Sequence, residues 1–259
     1  MIKKRIVGVV TVLNGLAVQS MGYKKYLPLG KPECLVENLD RWGADEILVQ
    51  VIDRSTHQLG PDIQLIDKII ANANISTPII YAGGINTEKQ AIEVVRAGAD
   101  RICLDAMLHN GLAEVNKLAH KLGAQALIAS IPVKKNSKGE PRYYNYLTNK
   151  STMFKDDLRE LFTNKLISEA LIIDVDNEGR KESFDFDLID YFPVDNVPLI
   201  LFGGLSSTEL LNLGLSNPRV SAAAVGNFLN YSEHAIQKLK LNLGLQPIRP
   251  AKYQQEIWT

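Results

Sequence analysis

Two glycine pairs, Gly83-Gly84 and Gly203-Gly204, are the residues with the plainest chemical consequence. Each closes a proline-led apolar run, Pro78-Ile79-Ile80-Tyr81-Ala82 in one case and Pro198-Leu199-Ile200-Leu201-Phe202 in the other. Glycine strips the side chain from a strand end, so backbone N–H groups can approach an anion closely. A tight turn would use the same residues. Finding two such pairs in corresponding places favours anion binding, and a ligand with two phosphates. Aspartates are doubled too: Asp53 ends the run Glu46-Ile47-Leu48-Val49-Gln50-Val51-Ile52-Asp53, and Asp176 ends Glu169-Ala170-Leu171-Ile172-Ile173-Asp174-Val175-Asp176.

The elements that must position these residues repeat as well. After each aspartate comes a polar loop with a glycine, Gly60 or Gly179, and then a helix-like segment, Asp62 to Ile70 or Asp187 to Phe192. Further on, Ala99-Asp100-Arg101-Ile102-Cys103-Leu104-Asp105 lies opposite Val220-Ser221-Ala222-Ala223-Ala224-Val225-Gly226-Asn227. Two half-sized copies of a strand-then-helix unit are the pattern of a parallel (βα)8 TIM barrel with an internal half-barrel repeat. Eight strands are expected: Arg5–Val10, Ile47–Ile52, Ile79–Ala82, Arg101–Leu104, Ala126–Ile131, Ala170–Val175, Leu199–Phe202 and Ala222–Val225. Their apolar character on both faces suits burial between a bore and a ring of helices. Helices are expected at Glu33–Trp42, Thr87–Ala97, Gly111–Leu122 and Ser207–Leu213, each followed by or ending at a glycine or a capping residue. Three segments depart from this alternation: a long loop over Gln19–Lys31, a basic tyrosine-bearing hairpin over Lys134–Tyr146, and a tail over Gln246–Thr259, for which disorder and docking both stay open. One barrel over 1–245 and a tail over 246–259 is the expected organisation.

With 259 residues the chain has the length of one eight-stranded barrel. Its formal net charge of zero gives no reason to expect a nucleic-acid partner. Cys34 and Cys103 make neither a disulfide framework nor a metal site, which fits a reducing cytoplasm. The basic start followed by an apolar run has the outline of a signal peptide, but Asn14-Gly15 breaks it, so a buried first strand is expected. No apolar stretch is long enough to span a membrane. No cofactor or metal is called for.

The glycine pairs, the half-barrel repeat and the long first loop together resemble the cyclase subunit of imidazole glycerol phosphate synthase, the (βα)8 barrel of histidine biosynthesis. The likeness runs from Arg5 to about Tyr231. It rests on Gly30-x-Pro32, Ala44-Asp45-Glu46, Ala97-Gly98-Ala99-Asp100-Arg101 and Asp176-x-x-Gly179. It implies a barrel that works with a glutaminase subunit docked on its N-terminal face. Ammonia would pass through the bore to a phosphorylated substrate at the C-terminal face. One phosphate site would comprise Gly83, Gly84 and Asp105, the other Gly203, Gly204, Gly226 and Asn227. The family usually carries a small or neutral residue at Asp105, and a carboxylate there repels phosphate. Arg5, Glu46, Arg101 and Glu169, at the starts of four strands, would form an ammonia gate, although a structural ion-pair plug needs the same charges paired. Asp100 matches a residue of the glutaminase interface.

The two aspartates that act as general acid and base in that family are replaced by Thr11 and Pro132, neither of which carries a proton at neutral pH. A substrate-binding lysine is Gln19. A retained gate with lost cyclisation acids resembles the branch that serves acetamidino-sugar modification of surface polysaccharide or protein glycans. Gln19-Ser20 and Tyr23-Lys24-Lys25-Tyr26-Leu27-Pro28 look like that branch. Its members act with a glutaminase and an ATP-using amidotransferase, on a phosphorylated or nucleotide-sugar acceptor. In that setting Asp53, Asp174 and Asp176 would line the acceptor pocket, with Asp176 the candidate acid-base residue. A histidine-pathway cyclase with relocated acid-base groups and a non-catalytic ammonia-channelling scaffold are the alternatives.

Overall fold

The computed structural model describes residues 3–72, 75–110, 112–243 and 247–250. Its strands are β1 (Arg5–Leu13), β2 (Leu16–Met21), β3 (Lys25–Gly30), β4 (Glu46–Val51), β5 (Ile79–Ala82), β6 (Arg101–Leu104), β7 (Leu127–Lys135), β8 (Pro141–Asn145), β9 (Lys150–Thr152), β10 (Glu169–Asp174), β11 (Leu199–Phe202) and β12 (Val220–Val225). Its α-helices are α1 (Pro32–Arg41), α2 (Ile63–Asn72), α3 (Glu88–Arg96), α4 (Ala106–Asn110), α5 (Leu112–Leu122), α6 (Asp156–Thr163), α7 (Asp187–Tyr191), α8 (Thr208–Ser216) and α9 (Ala235–Asn242). Eight strands close a parallel ring in the order β1, β4, β5, β6, β7, β10, β11, β12 and back to β1. This is the (βα)8 barrel that the repeat implied, and all eight expected strands are in it.

Strand alternation sorts the side chains into two cores. Val7, Leu48, Ile80, Ile128, Leu171, Ile200 and Ala222 belong to a cluster that fills the bore. The intervening Ile6, Ile47, Ile79, Ile102, Leu127, Ile172 and Leu199 pack outward with the helices. Helix α3 starts at a capping box, in which Thr87 and Gln90 exchange side-chain-to-backbone hydrogen bonds.

Some local expectations change. The segment expected as a loop over Gln19–Lys31 is mostly an antiparallel hairpin, β2 with β3, itself paired to the end of β1. Asn14 and Gly15, at φ 50° and 76°, form the two-residue turn into β2. An Asn-Gly step between apolar runs is the strongest short hairpin signal, because both residues tolerate positive φ. Helix α8 does not stop before Gly214 but runs through it to Ser216, with Ser207 as its cap. The expected helix start Gly111 lies outside the described residues, and a short α4 precedes α5. The Lys134–Tyr146 hairpin is present as the end of β7 with β8, and β9 extends it. Of the tail, Pro247–Pro250 is described, and it docks: Ile248 bridges Lys4 in parallel at the barrel's N-terminal face. Residues 246 and 251–259 lie outside the described residues.

Candidate functional site

At the N-terminal end of the bore, Arg5, Glu46, Arg101 and Glu169 meet as a closed ring. Arg5 contacts Glu46 at 2.8 Å and also pairs with Glu169, while Arg101 contacts Glu46 at 3.1 Å and Glu169 at 2.7 Å. Ser221 Oγ adds a hydrogen bond to Glu169 at 2.7 Å, and Ser168 Oγ accepts from Arg101 at 3.0 Å. Burial works against the charge on Arg5, but Glu46 and Glu169 outweigh it and raise its pKa. Burial likewise pushes Glu169 up, yet Arg5 and Arg101 hold it below its ordinary value. Both shifts favour the charged forms of Arg5 and Glu169, each of which has two oppositely charged partners in the ring. Asp100 sits beside this ring on an exposed loop, where its carboxylate accepts the N–H of Ile79 at 2.8 Å.

Among the described residues the C-terminal end opens into two mouths, each walled by residues of both halves. The first encloses about 380 Å³. Its walls include Tyr23 and Lys24 from the first hairpin, Gln50, Asp53, Gly83, Asp105 and Ser130 from the barrel, and Lys134, Tyr144 and Tyr146 from the second hairpin. The second is smaller, about 70 Å³, and is walled by Thr11, Glu178 to Lys181, Phe202 to Ser206, Gly226, Asn227 and Tyr231.

The two glycine pairs are not equivalent. At both, the backbone is in conformations that favour glycine, with φ of 134° and 69° for Gly83 and Gly84, and 112° and 79° for Gly203 and Gly204. In the first pair the N–H of Gly84 donates to Ser55 Oγ at 3.0 Å. The neighbouring Arg54 is spent on the carbonyls of Leu59, Gly60 and Pro61. A side chain at Gly84 would run into the Gly60 carbonyl, so close chain packing explains this glycine. In the second pair the N–H groups of Gly203 and Gly204 make no hydrogen bond to a protein acceptor among the described residues. They share the cavity wall with Arg180 and Lys181. The Gly83 N–H is likewise without a protein acceptor among the described residues, so the contrast lies in Gly84, which is bonded to Ser55, and in the linings: Arg180 and Lys181 beside the second pair, Asp53 and Asp105 beside the first.

The remaining expected site residues fall as follows. Asp105 and Asp53 line the first cavity. Asp174 and Asp176, expected in a pocket, line neither cavity. Asp174 is buried and accepts from the Asn177 side chain at 2.8 Å and the Asp185 N–H at 2.9 Å; burial raises its pKa against those bonds. Its outward parity follows from Leu171 and Ile173 pointing into the bore. Asp176 accepts the Lys135 N–H at 2.9 Å, so it ties β7 to the loop after β10. Asn227 clasps the first hairpin, donating to Ser20 O at 2.6 Å and accepting from Ser20 N at 3.3 Å. Gly226 lies in the second wall, where a Cβ would make ordinary van der Waals contact with Phe202 and Val9.

A family model described as histidine biosynthesis protein matches residues 5–235. The chain belongs to that family. Relatives named imidazole glycerol phosphate synthase subunit HisF include the protein of Natranaerobius thermophilus, 25% identical over 241 residues, covering 93% of this chain and 95% of that protein. That of Alkaliphilus metalliredigens is 24% identical over 247 residues, 94% and 96% of the two chains. That of Pyrococcus furiosus is 25% identical over 245 residues, again 94% and 96%.

In this histidine biosynthesis family barrel, Thr11 is buried beside the second cavity and Pro132 is buried in β7, in register with Ile173. Gln19 is buried and accepts from Tyr231 Oη at 3.4 Å. Sequence reasoning passed over Gln50, Ser130, Glu178 and the tyrosines as site residues. Glu178 is 3% exposed and accepts from Ser20 Oγ at 3.0 Å and Tyr23 N at 3.1 Å; burial raises its pKa. It fixes the first hairpin across the barrel mouth. Gln50 accepts from Tyr23 Oη at 3.2 Å. The tyrosine-rich makeup of both insertions was the available signal, but only the fold brings the two hairpins together.

Proposed function

We propose that this chain is the ammonia-receiving synthase subunit of a glutamine amidotransferase, and that it serves a phosphorylated or nucleotide-sugar acceptor of the acetamidino type. One observation carries the reading: the charged ring at the foot of the bore is complete, while the two positions expected to hold the cyclisation acid and base are Thr11 and Pro132. Above the ring the bore is lined by apolar side chains, which favour a neutral ammonia molecule over an ammonium ion. Loss of a general acid or base costs about 10²- to 10⁴-fold for each. A glutaminase is the expected partner at the N-terminal face around Asp100, and an ATP-using amidotransferase is the expected third component. The open glycine N–H groups with Arg180 and Lys181 support a phosphate in the second mouth.

A histidine-pathway cyclase is favoured by the names of the relatives. In that reading the acid and base have moved, and Asp53, Asp105 and Glu178 are the carboxyls nearest the mouths. A scaffold that only conducts ammonia would need no acid-base residue, and replacing Asp176 would leave it working. Turnover of phosphoribulosyl-formimino-AICAR phosphate by the purified chain with excess ammonium salt decides between the first two. Absence of turnover by folded protein is expected, and clear turnover would return the chain to the histidine pathway.

A further inference from the structure

Strand β6 carries one row of side chains from the foot of the bore to its exit. Arg101 belongs to the charged ring and Cys103 to the bore cluster, and Asp105, the next residue of that parity, lines the first mouth. Above the ring, the bore-facing positions of the other barrel strands hold no carboxylate; on β1, β4 and β7 they lead up to Thr11, Gln50 and Pro132. Asp53, Asp174 and Asp176 have the opposite parity, shared with Val51 and Ile172 of the outer core. They are also engaged, by the Asn14 N–H, the Asn177 side chain and the Lys135 N–H.

The two oxygens of Asp105 have different surroundings. Oδ1 is buried and makes no hydrogen bond among the described residues; it faces His109 Nε2 at 3.5 Å, which is buried and unpartnered too. The Asp105 side chain is nevertheless 26% exposed, so its exposure falls on Oδ2 and the methylene group, in the first mouth. His109, one helical turn on in α4, is 7% exposed, and its ring stacks on Tyr143 at 4.9 Å and 20°. Two facing buried polar atoms are costly unless one donates to the other. A carboxylate only accepts, so the donor is a proton on His109 Nε2. Around the pair lie Cys103, Tyr143, Tyr146 and Tyr23. Burial pushes all four up, the Asp105 charge adds to each shift, and all stay neutral at ordinary pH.

We infer that Asp105 is the proton-accepting catalytic residue at the exit of the bore, and that His109 is the positioning residue that holds Oδ1 and turns Oδ2 toward the emerging ammonia. The inference rests on the reading of the chain as an ammonia-receiving synthase subunit. Ammonia uses its lone pair to bond to an acceptor carbon activated by a phosphate leaving group, which departs with the electron pair of the bond it loses. The nitrogen, now positive, sheds one proton to Asp105 Oδ2 and keeps the N–H electron pair. Asp105 then releases that proton to the water of the mouth. Lys24 and Lys134, on the same wall, offset the charge of the leaving group.

The test has two arms. In the assembled system, Asp105→Asn should lower kcat by about 10²-fold or more, with KM changed far less. The loss should be equal with glutamine and with ammonium salt, because the exit serves both. His109→Leu should lower kcat about tenfold, the worth of one hydrogen bond to a charged group. His109→Gln, which keeps an N–H donor, should recover part of that loss, and circular dichroism checks that each variant folds. On the full chain alone, 15N-histidine NMR, assigned with His109→Gln, should place the proton of the neutral His109 ring on Nε2. Unchanged kcat in folded Asp105→Asn, His109→Gln no better than His109→Leu, or a proton on Nδ1 would each overturn the assignment. No product from the parent chain with either nitrogen source would refute the proposed function instead, and the NMR arm then decides the Asp105–His109 pairing by itself.

Discussion

Replacing Arg5 by methionine is the sharpest perturbation of the charged ring. Methionine keeps much of the aliphatic stem and removes the guanidinium. Three interactions go: with Glu46 at 2.8 Å, with Glu169, and with Ser221 Oγ at 3.1 Å. Both glutamates keep Arg101, at 3.1 and 2.7 Å, and Glu169 keeps Ser221. Removing one partner of a buried ion pair costs about 3–5 kcal/mol when the other charge is stranded. Because Arg101 still reaches both carboxylates, the low end, about 3 kcal/mol, is expected. With a urea slope of about 3 kcal/mol/M, the midpoint falls by about 1 M. Adding Glu169→Gln restores neutrality, leaves the Arg101–Glu46 pair, and should recover about 1–2 kcal/mol, within the usual range for coupled neighbours. A double variant no more stable than Arg5→Met would refute the ring as one electrostatic unit. In the assembled system, Arg5→Met should change glutamine-dependent product formation while leaving ammonium-driven formation intact. Equal effects on both would remove the gate and leave a plug.

The pH dependence has a definite sign. Glu169 is held below its ordinary value of 4.5, so its contribution is fully present above that pH. It is lost as pH falls through the lower folded value, and urea midpoints below pH 4.5 should drop less steeply in Arg5→Met than in the parent chain. Lys240→Met removes the buried contacts to Asp45 and the Gly43 carbonyl, at 2.9 and 2.8 Å, and should cost about 3 kcal/mol, read as a lowered denaturation midpoint. Asn227→Ala frees Ser20 from both bonds and should speed amide exchange across the first hairpin, by about 1–2 kcal/mol of opening energy. Gly179→Ala places a methyl group against the Ser20 carbonyl at a φ of 74° and should destabilise by about 1–3 kcal/mol, seen in the melting temperature.

Much of the barrel was legible because its signals are local. Ile79–Ala82 and Leu199–Phe202 are apolar on both faces and end in glycine, which a buried parallel strand requires. Glu46 and Glu169 mark the foot of the bore as charged residues that open largely apolar strands. The first hairpin is equally local, since Asn14-Gly15 between apolar runs specifies its turn, although the same step also breaks the apolar run of the first strand. The site was less legible. The glycine pairs look alike in sequence and differ in what surrounds them: Ser55 occupies one N–H, and no protein group occupies the other. Asp174 carries a candidate residue type, but strand parity turns it away from the bore. Tyr23 and Tyr146 are far apart in the chain, so their edge-to-face contact exists only after both hairpins fold over one mouth.

Those hairpins have a consequence for how the two halves can change. They leave β1 and β7, the opening strands of the two repeated halves, yet both close the first mouth, and the first hairpin is also clasped by Glu178 and Asn227 of the second half. An alteration in either half is therefore felt at both mouths, and the two copies of the unit are no longer interchangeable parts. A chimera that borrows one half from a relative would inherit half a lid, and its binding preferences would belong to neither parent.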